Sequence, residues 1–136
     1  MTSDHFVDHQ LLALWAADCA EHVIAIFTAA ESDDARPHDA IAAARDWVSG
    51  KLPMVDARSA AFAAHAAARD TESQLACFAA RAAGHAAATA HVADHAQHAA
   101  AYAIKAAADP DTERVWQRQQ LAPHLQPQLF PELRDG

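Results

Sequence analysis

Lysine occupies only positions 51 and 105, and no run of basic residues appears anywhere in the chain. With a formal net charge of −8, the protein repels a polyanion overall, which argues against non-specific binding to nucleic acid or to an anionic membrane. Glycine is nearly as scarce, at 50, 84 and 136. None of these forms the glycine-rich turn of a P-loop or dinucleotide site, and no G-x-S-x-G is present, so the common NTPase, nicotinamide-enzyme and serine-hydrolase classes are excluded. The two cysteines, Cys19 and Cys77, lie inside apolar helical patterns with no paired C-x-x-C. The expectation is two free thiols in a cytoplasmic protein, because no basic segment precedes an apolar stretch at the N-terminus. Apolar runs fall short of the ~18 residues a membrane span needs.

What the chain does contain is alanine. The hydrophobic share is 52% of 136 residues, which suits one domain with a packed core. Small side chains let helices approach closely, and β-branched residues never cluster, so the chain reads as all-α. The expected architecture is a single-domain bundle of about five to six helices over residues 1–122, followed by a proline-containing arm over 123–136.

A first helix is expected from about Asp8 to Ala30, with Leu11, Trp15, Cys19, His22 and Ile26 on one face. Pro37 suits the first turn of a second helix that ends at Ser49, with Gly50 as its positive-φ stop. A third helix follows Pro53, from about Val55 to Arg69. Thr71 and Gln74 read as a capping box for a fourth. The proline-free stretch from Glu72 to Ala108 would span ~55 Å as one helix, too long for a compact domain of this size. It must break, either at Gly84 or, as we prefer, over His91–Asp94, where Asp94 can cap a new helix. Asp109 and Pro110 open a last helix to about Gln120. Pro123, Pro127 and Pro131 exclude a regular helix beyond it, so an extended arm buries Leu125, Leu129 and Phe130, or else the tail is disordered.

The chemistry-bearing residues are histidines, ten in all. Asp18 and His22 are four apart, so the carboxylate can orient the imidazole as a general base or a metal ligand facing the interior. The alternative is a polar pair closing a helix contact. On the third helix, Arg58, Phe62, His65 and Arg69 follow a seven-residue seam, and an inward arginine there needs an acidic partner. Arg36 is expected to be held by Asp33 or Asp34. From Ala82 to Ala108, His85, His91, His95, His98 and Tyr102 stand in alanine. His91 and His95 are spaced to chelate a divalent metal such as zinc, with His22 among the possible further ligands. A break over His91–Asp94 would weaken that spacing.

Several blocks carry a resemblance: A-L-W-A-A-D-C-A-E-H-V from Ala13, D-D-A-R-P-H-D-A-I-A-A-A-R-D-W from Asp33 and A-A-F-A-A-H-A-A-A-R from Ala60. They continue with A-A-R-A-A-G-H-A-A-A-T-A-H-V from Ala79 and E-R-V-W-Q-R-Q-Q-L from Glu113. With the weight on their Trp, Cys, His, Arg and Pro positions, they resemble the Imm-5-like domain family of bacterial immunity proteins. The resemblance implies an all-helical domain that neutralises a protein toxin. The other reading of the same residues is a small enzyme or ligand-binding bundle. In it Asp18, His22, His65, Arg69, His91 and His95 converge on a cavity, with His22 or His95 as acid/base. Self-association stays open under both readings.

Overall fold

The structure is a computed structural model that describes residues 2–135. Six helices form the body: α1 Thr2–Ala30, α2 Arg36–Val48, α3 Met54–Asp70, α4 Gln74–Ala88, α5 His95–Ala106 and α6 Pro110–Gln120. No strand occurs among the described residues. α4 is the central helix, packed on α1, α2, α3 and α5. Its composition explains that position. Ala76, Ala79, Ala80, Ala82, Ala83, Gly84, Ala86 and Ala87 are all buried, so the helix is apolar and narrow nearly all round and suits the middle of a bundle. The bulk of the core comes from elsewhere, chiefly Leu12, Trp15, Val23 and Phe27 of α1, with Ile41, Leu121, Leu125 and Phe130.

α1 starts well before Asp8. Its stretch His5–Ala30 is long and apolar enough to cross a membrane by length and composition, a length the apolar runs alone did not suggest. Half of that window is buried within the bundle, as in the core helix of a folded domain.

Several local expectations hold. Gly50 follows α2 with φ +77°, and its N–H donates to Trp47 O. Asp109 caps α6, accepting from Thr112 N–H at 3.2 Å and from Thr112 Oγ1 at 2.8 Å. The long alanine stretch breaks in a turn over residues 89–94, and Gly84 lies inside α4. Two expectations are corrected. The cap of α4 is Ser73, whose Oγ accepts from Ala76 N–H, while Thr71 Oγ1 instead takes the N–H of Ser73. Asp94 stands at the cap position of α5 but makes no side-chain capping bond.

The C-terminal arm is not extended. It folds into a 3₁₀ turn at Pro123–Leu125, a short α7 at Gln126–Leu129 and a second 3₁₀ turn at Pro131–Asp135. Pro123 and Pro127 sit in the first turns of their pieces, where a missing N–H costs nothing, so proline permits short helical turns while forbidding a long helix. Phe130 is buried edge-on against Trp15, 6.3 Å between centroids, and the Arg114 guanidinium lies over the other ring at 4.8 Å from the Phe130 centroid while pairing with Glu132. Trp15 Nε1 donates to Gln117 O at 2.8 Å, and Gln117 Nε2 donates to Ala100 O at 2.9 Å, which ties α1, α5 and α6 together.

Candidate functional site

Two polar constellations emerge, on different sets of helices. The larger sits where α3, α4 and α5 meet. On α4, Arg81 and His85 are four apart and project from the same face. On α5, His95, His98 and Tyr102 share a face at spacings of three and four. α3 contributes His65. Its position is fixed by Gly84: a Cβ added there would stand 2.7 Å from the His65 ring, so the imidazole lies directly against the α4 backbone. The glycine that might have broken the helix is instead the floor under a histidine.

His85 is the hub. Its ring stacks near Tyr102 (5.4 Å, 7°) and His95 (5.1 Å, 26°), and meets His65 edge-on (4.8 Å, 72°). His98 lies 5.3 Å away by ring centroid. Arg81 Nη1 donates to His65 Nδ1 at 2.9 Å, so that nitrogen carries a lone pair and the proton of a neutral ring resides on Nε2. His85 Nδ1 and His95 Nδ1 are 2.9 Å apart, so one donates and the other accepts. Burial is the main force holding His65 neutral, its pKa pushed down to about 4, with Arg81, Arg69 and His95 adding to it. Burial also dominates at His85, at about 3, followed by repulsion from His65, His95, His98 and Arg81. His95 is lowered by burial, then by His98 and His91, with Asp94 opposing.

The smaller constellation joins α1 to α6. His22 does not pair with Asp18. Its Nδ1 is bonded to both carboxylate oxygens of Glu113, at 2.8 and 2.9 Å, and its ring stacks on Trp116 at 3.7 Å and 12°. Glu113 is only 6% exposed, whereas the His22 side chain is 42% exposed. Asp18 instead accepts from Arg45 at 2.8 Å, and Arg45 also donates to both oxygens of Glu21 at 2.9 and 3.1 Å. The hydrogen bond from Arg45 is the main cause holding the Glu21 carboxyl below its ordinary range. Asp18, Glu21, His22, Trp116 and Gln120 line an open cleft of ≈ 350 Å³. One turn away, Cys19 is buried, and burial, then the charges of Glu113 and Asp18, push its thiol well up, which suppresses thiolate chemistry. Both cysteines are free.

The Glu113–His22 bond fastens α6 to α1 through a buried carboxylate. Replacing Glu113 by Gln keeps the shape but loses the charge-assisted bond. We expect a loss of about 1–2 kcal/mol in urea denaturation, and a larger loss for Glu113→Ala, which also leaves His22 unpaired and a void beneath Trp116. Equal stability of all three proteins would show that the pair contributes nothing.

The residues singled out from the sequence therefore divide. His65 and His95 come together around His85. Arg69 is exposed at the end of α3 and acts on His65 only through its charge. His91 is exposed in the turn, off the face of α5. Asp18 and His22 belong to the α1–α6 side, and no hydrogen bond or ring contact among the described residues joins them to the α4–α5 histidines. Arg36 is held by Asp34, as expected, at 2.9 and 2.7 Å, and also by Asp70. Among the described residues, no group of three or more His, Cys, Asp or Glu is placed to hold a metal ion. Sequence reasoning missed the centrality of His85, and it missed Arg81 as its neighbour and Glu113 and Trp116 as the partners of His22. The one available signal was spacing: Arg81–His85 at i, i+4 and Glu113–Trp116 at i, i+3.

Comparison with known proteins bears on what such a bundle is. The search of curated proteins and the search of solved structures each find no match. A family model described as Imm-5 like putative immunity protein matches residues 5–124, which takes in α1 to α6 and both constellations. The chain belongs to the Imm-5 like family.

Proposed function

We propose that the protein is an immunity protein of the bacterial cytoplasm that neutralises a toxin by binding it and covering its working surface. The family match over residues 5–124 carries this reading. The charge of −8 supports it, because complementary charge speeds and orients association with a basic partner, and two clefts beside α1 give it surface relief. One cleft contains Asp18 and Glu21. The next, of ≈ 290 Å³, shares Glu21 and adds Asp46, Arg45 and His38, with Ile24 and Ile41 as apolar lining. The enzyme reading needed Asp18, His22 and the α4–α5 histidines in one cavity, and these lie on separate parts of the bundle.

The test is protection. Co-expression with the toxic domain it is proposed to bind is expected to restore growth of a bacterial host that the toxin alone arrests, and the two proteins should co-purify. Growth arrest that persists at equal expression of both chains overturns the reading.

A further inference from the structure

We propose that the α3–α4–α5 cluster is a binding site for an oxyanion of the phosphate type, with Arg81 as its main anchor. The inference goes beyond the immunity reading and does not depend on it.

Arg81 differs from the arginines that carboxylates hold. Arg36 is held by Asp34 and Asp70, Arg45 by Asp18 and Glu21, and Arg114 by Glu132. Arg81 is half-buried, and the partner recorded for its guanidinium is a neutral imidazole nitrogen. A guanidinium withdrawn from water without a carboxylate is costly, and that cost is recovered when an anion arrives. One Nη group holds His65, which leaves the other N–H donors of the fork for a ligand, in the geometry that matches phosphate or carboxylate.

The surroundings repeat the pattern. From α3 come His65 and the Arg69 charge. From α4 comes His85, and from α5 come His95 and His98. The carboxylate felt by this group is Asp94, at the rim, acting on His95. Lys105 extends the positive edge, its Nζ 5.0 Å from the Tyr102 ring centroid. The net charge of the whole molecule is unfavourable to an anion. At physiological ionic strength, however, charges beyond ~8 Å are largely screened, so the local cluster decides. A dianion suits it better than a monocarboxylate, because its further oxygens can also accept from the N–H groups of the surrounding neutral imidazoles.

The probe is inorganic phosphate at pH 8, where it is mostly the dianion, followed by calorimetry and by imidazole NMR shifts, with sodium chloride matched for ionic strength and sodium acetate as the monoanion. Saturable binding of phosphate is expected, with shifts centred on His65, His85 and His98 and with affinity falling as pH drops from 8 to 6 and the dianion gives way to the monoanion. Arg81→Gln should weaken it about tenfold or more, the worth of a charge-assisted bond. His98→Ala, on an exposed side chain that can be removed without disturbing the core, should weaken it less. Arg118→Gln, away from the cluster, should leave it unchanged. No saturable response to phosphate overturns the site, as does a response that Arg81→Gln and Arg118→Gln alter equally. Equal binding of acetate overturns the assignment to a dianion.

Discussion

Gly84→Ala is expected to destabilise the protein by about 1–3 kcal/mol, although alanine is the better helix former by ~1 kcal/mol. The new methyl would stand 2.7 Å from Cε1 and Nε2 of His65 and 2.9 Å from its Nδ1. The imidazole would have to swing away, giving up its bond from Arg81 and its edge contact with His85. At ~4 °C per kcal/mol, the thermal midpoint should fall by roughly 4–12 °C. The decisive comparison is made in a His65→Ala background. With the ring gone, the methyl has room, so Gly84→Ala should there be neutral or stabilising. A loss of the same size in both backgrounds would show that the glycine is required for some reason other than His65.

The second large effect is a loss of stability on mild acidification. His65 and His85 have folded pKa values of about 4 and about 3, against 6.5 for the free side chain. Between pH 6.5 and 4 the unfolded chain therefore takes up protons that the folded chain refuses, and acid favours unfolding. The stability these neutral rings contribute is complete above pH 6.5 and falls as pH drops below it. Each such group contributes at most ~1.4 kcal/mol per pH unit. Both rings are only about half removed from water, so we take about half of that, giving ~1–1.5 kcal/mol per unit for the pair. From pH 6.5 to 4.5 the expected fall is about 2–3 kcal/mol, or roughly 8–12 °C in thermal midpoint. The carboxylates held low by their partners, including Glu21, Asp34, Asp109 and Glu132, lose their contribution only below their ordinary range, near pH 4. The window above pH 4.5 thus belongs to the histidines. His85→Phe fills the same space with no titratable nitrogen and should flatten the profile there. A wild-type midpoint that stays constant from pH 7 to 4.5 would sink the idea.

The sequence was most legible where a local rule decides the outcome. The capped start at Asp109-Pro110 and the stop at Gly50 rest on backbone chemistry that neighbours in sequence supply, whereas the break over residues 89–94 falls where expected without the capping bond from Asp94. The capping box at Thr71 failed by a small margin, because the helix begins two residues later, with Ser73 Oγ on Ala76 N–H. The arm failed for a different reason. Three prolines were correctly read as forbidding a long helix, but each also suits the first turn of a short one.

The candidate site was legible as a set of residue types and much less as an arrangement. Spacing on one helix says which side chains share a face, so His95, His98 and Tyr102 fall together, while His91, which the same spacing would add, lies in the turn before α5. It cannot say which of two acidic residues a histidine will meet. His22 has Asp18 four residues away, yet its partner is Glu113, 91 positions along the chain, because α6 crosses α1 at that point and buries its carboxylate against the ring. Asp18 is then left to Arg45 on α2.

Alanine content, scarce glycine and the pattern of caps by themselves determined an all-α chain of several close-packing helices, since each of these acts through propensity and close packing along a single segment. Only the tertiary structure decided that Gly84 is a seat for His65, that His85 is the hub of four rings from two neighbouring helices, and that Arg81 lies among them without a carboxylate. Such contacts depend on how separate helices cross, and crossing is set by the shapes of whole faces.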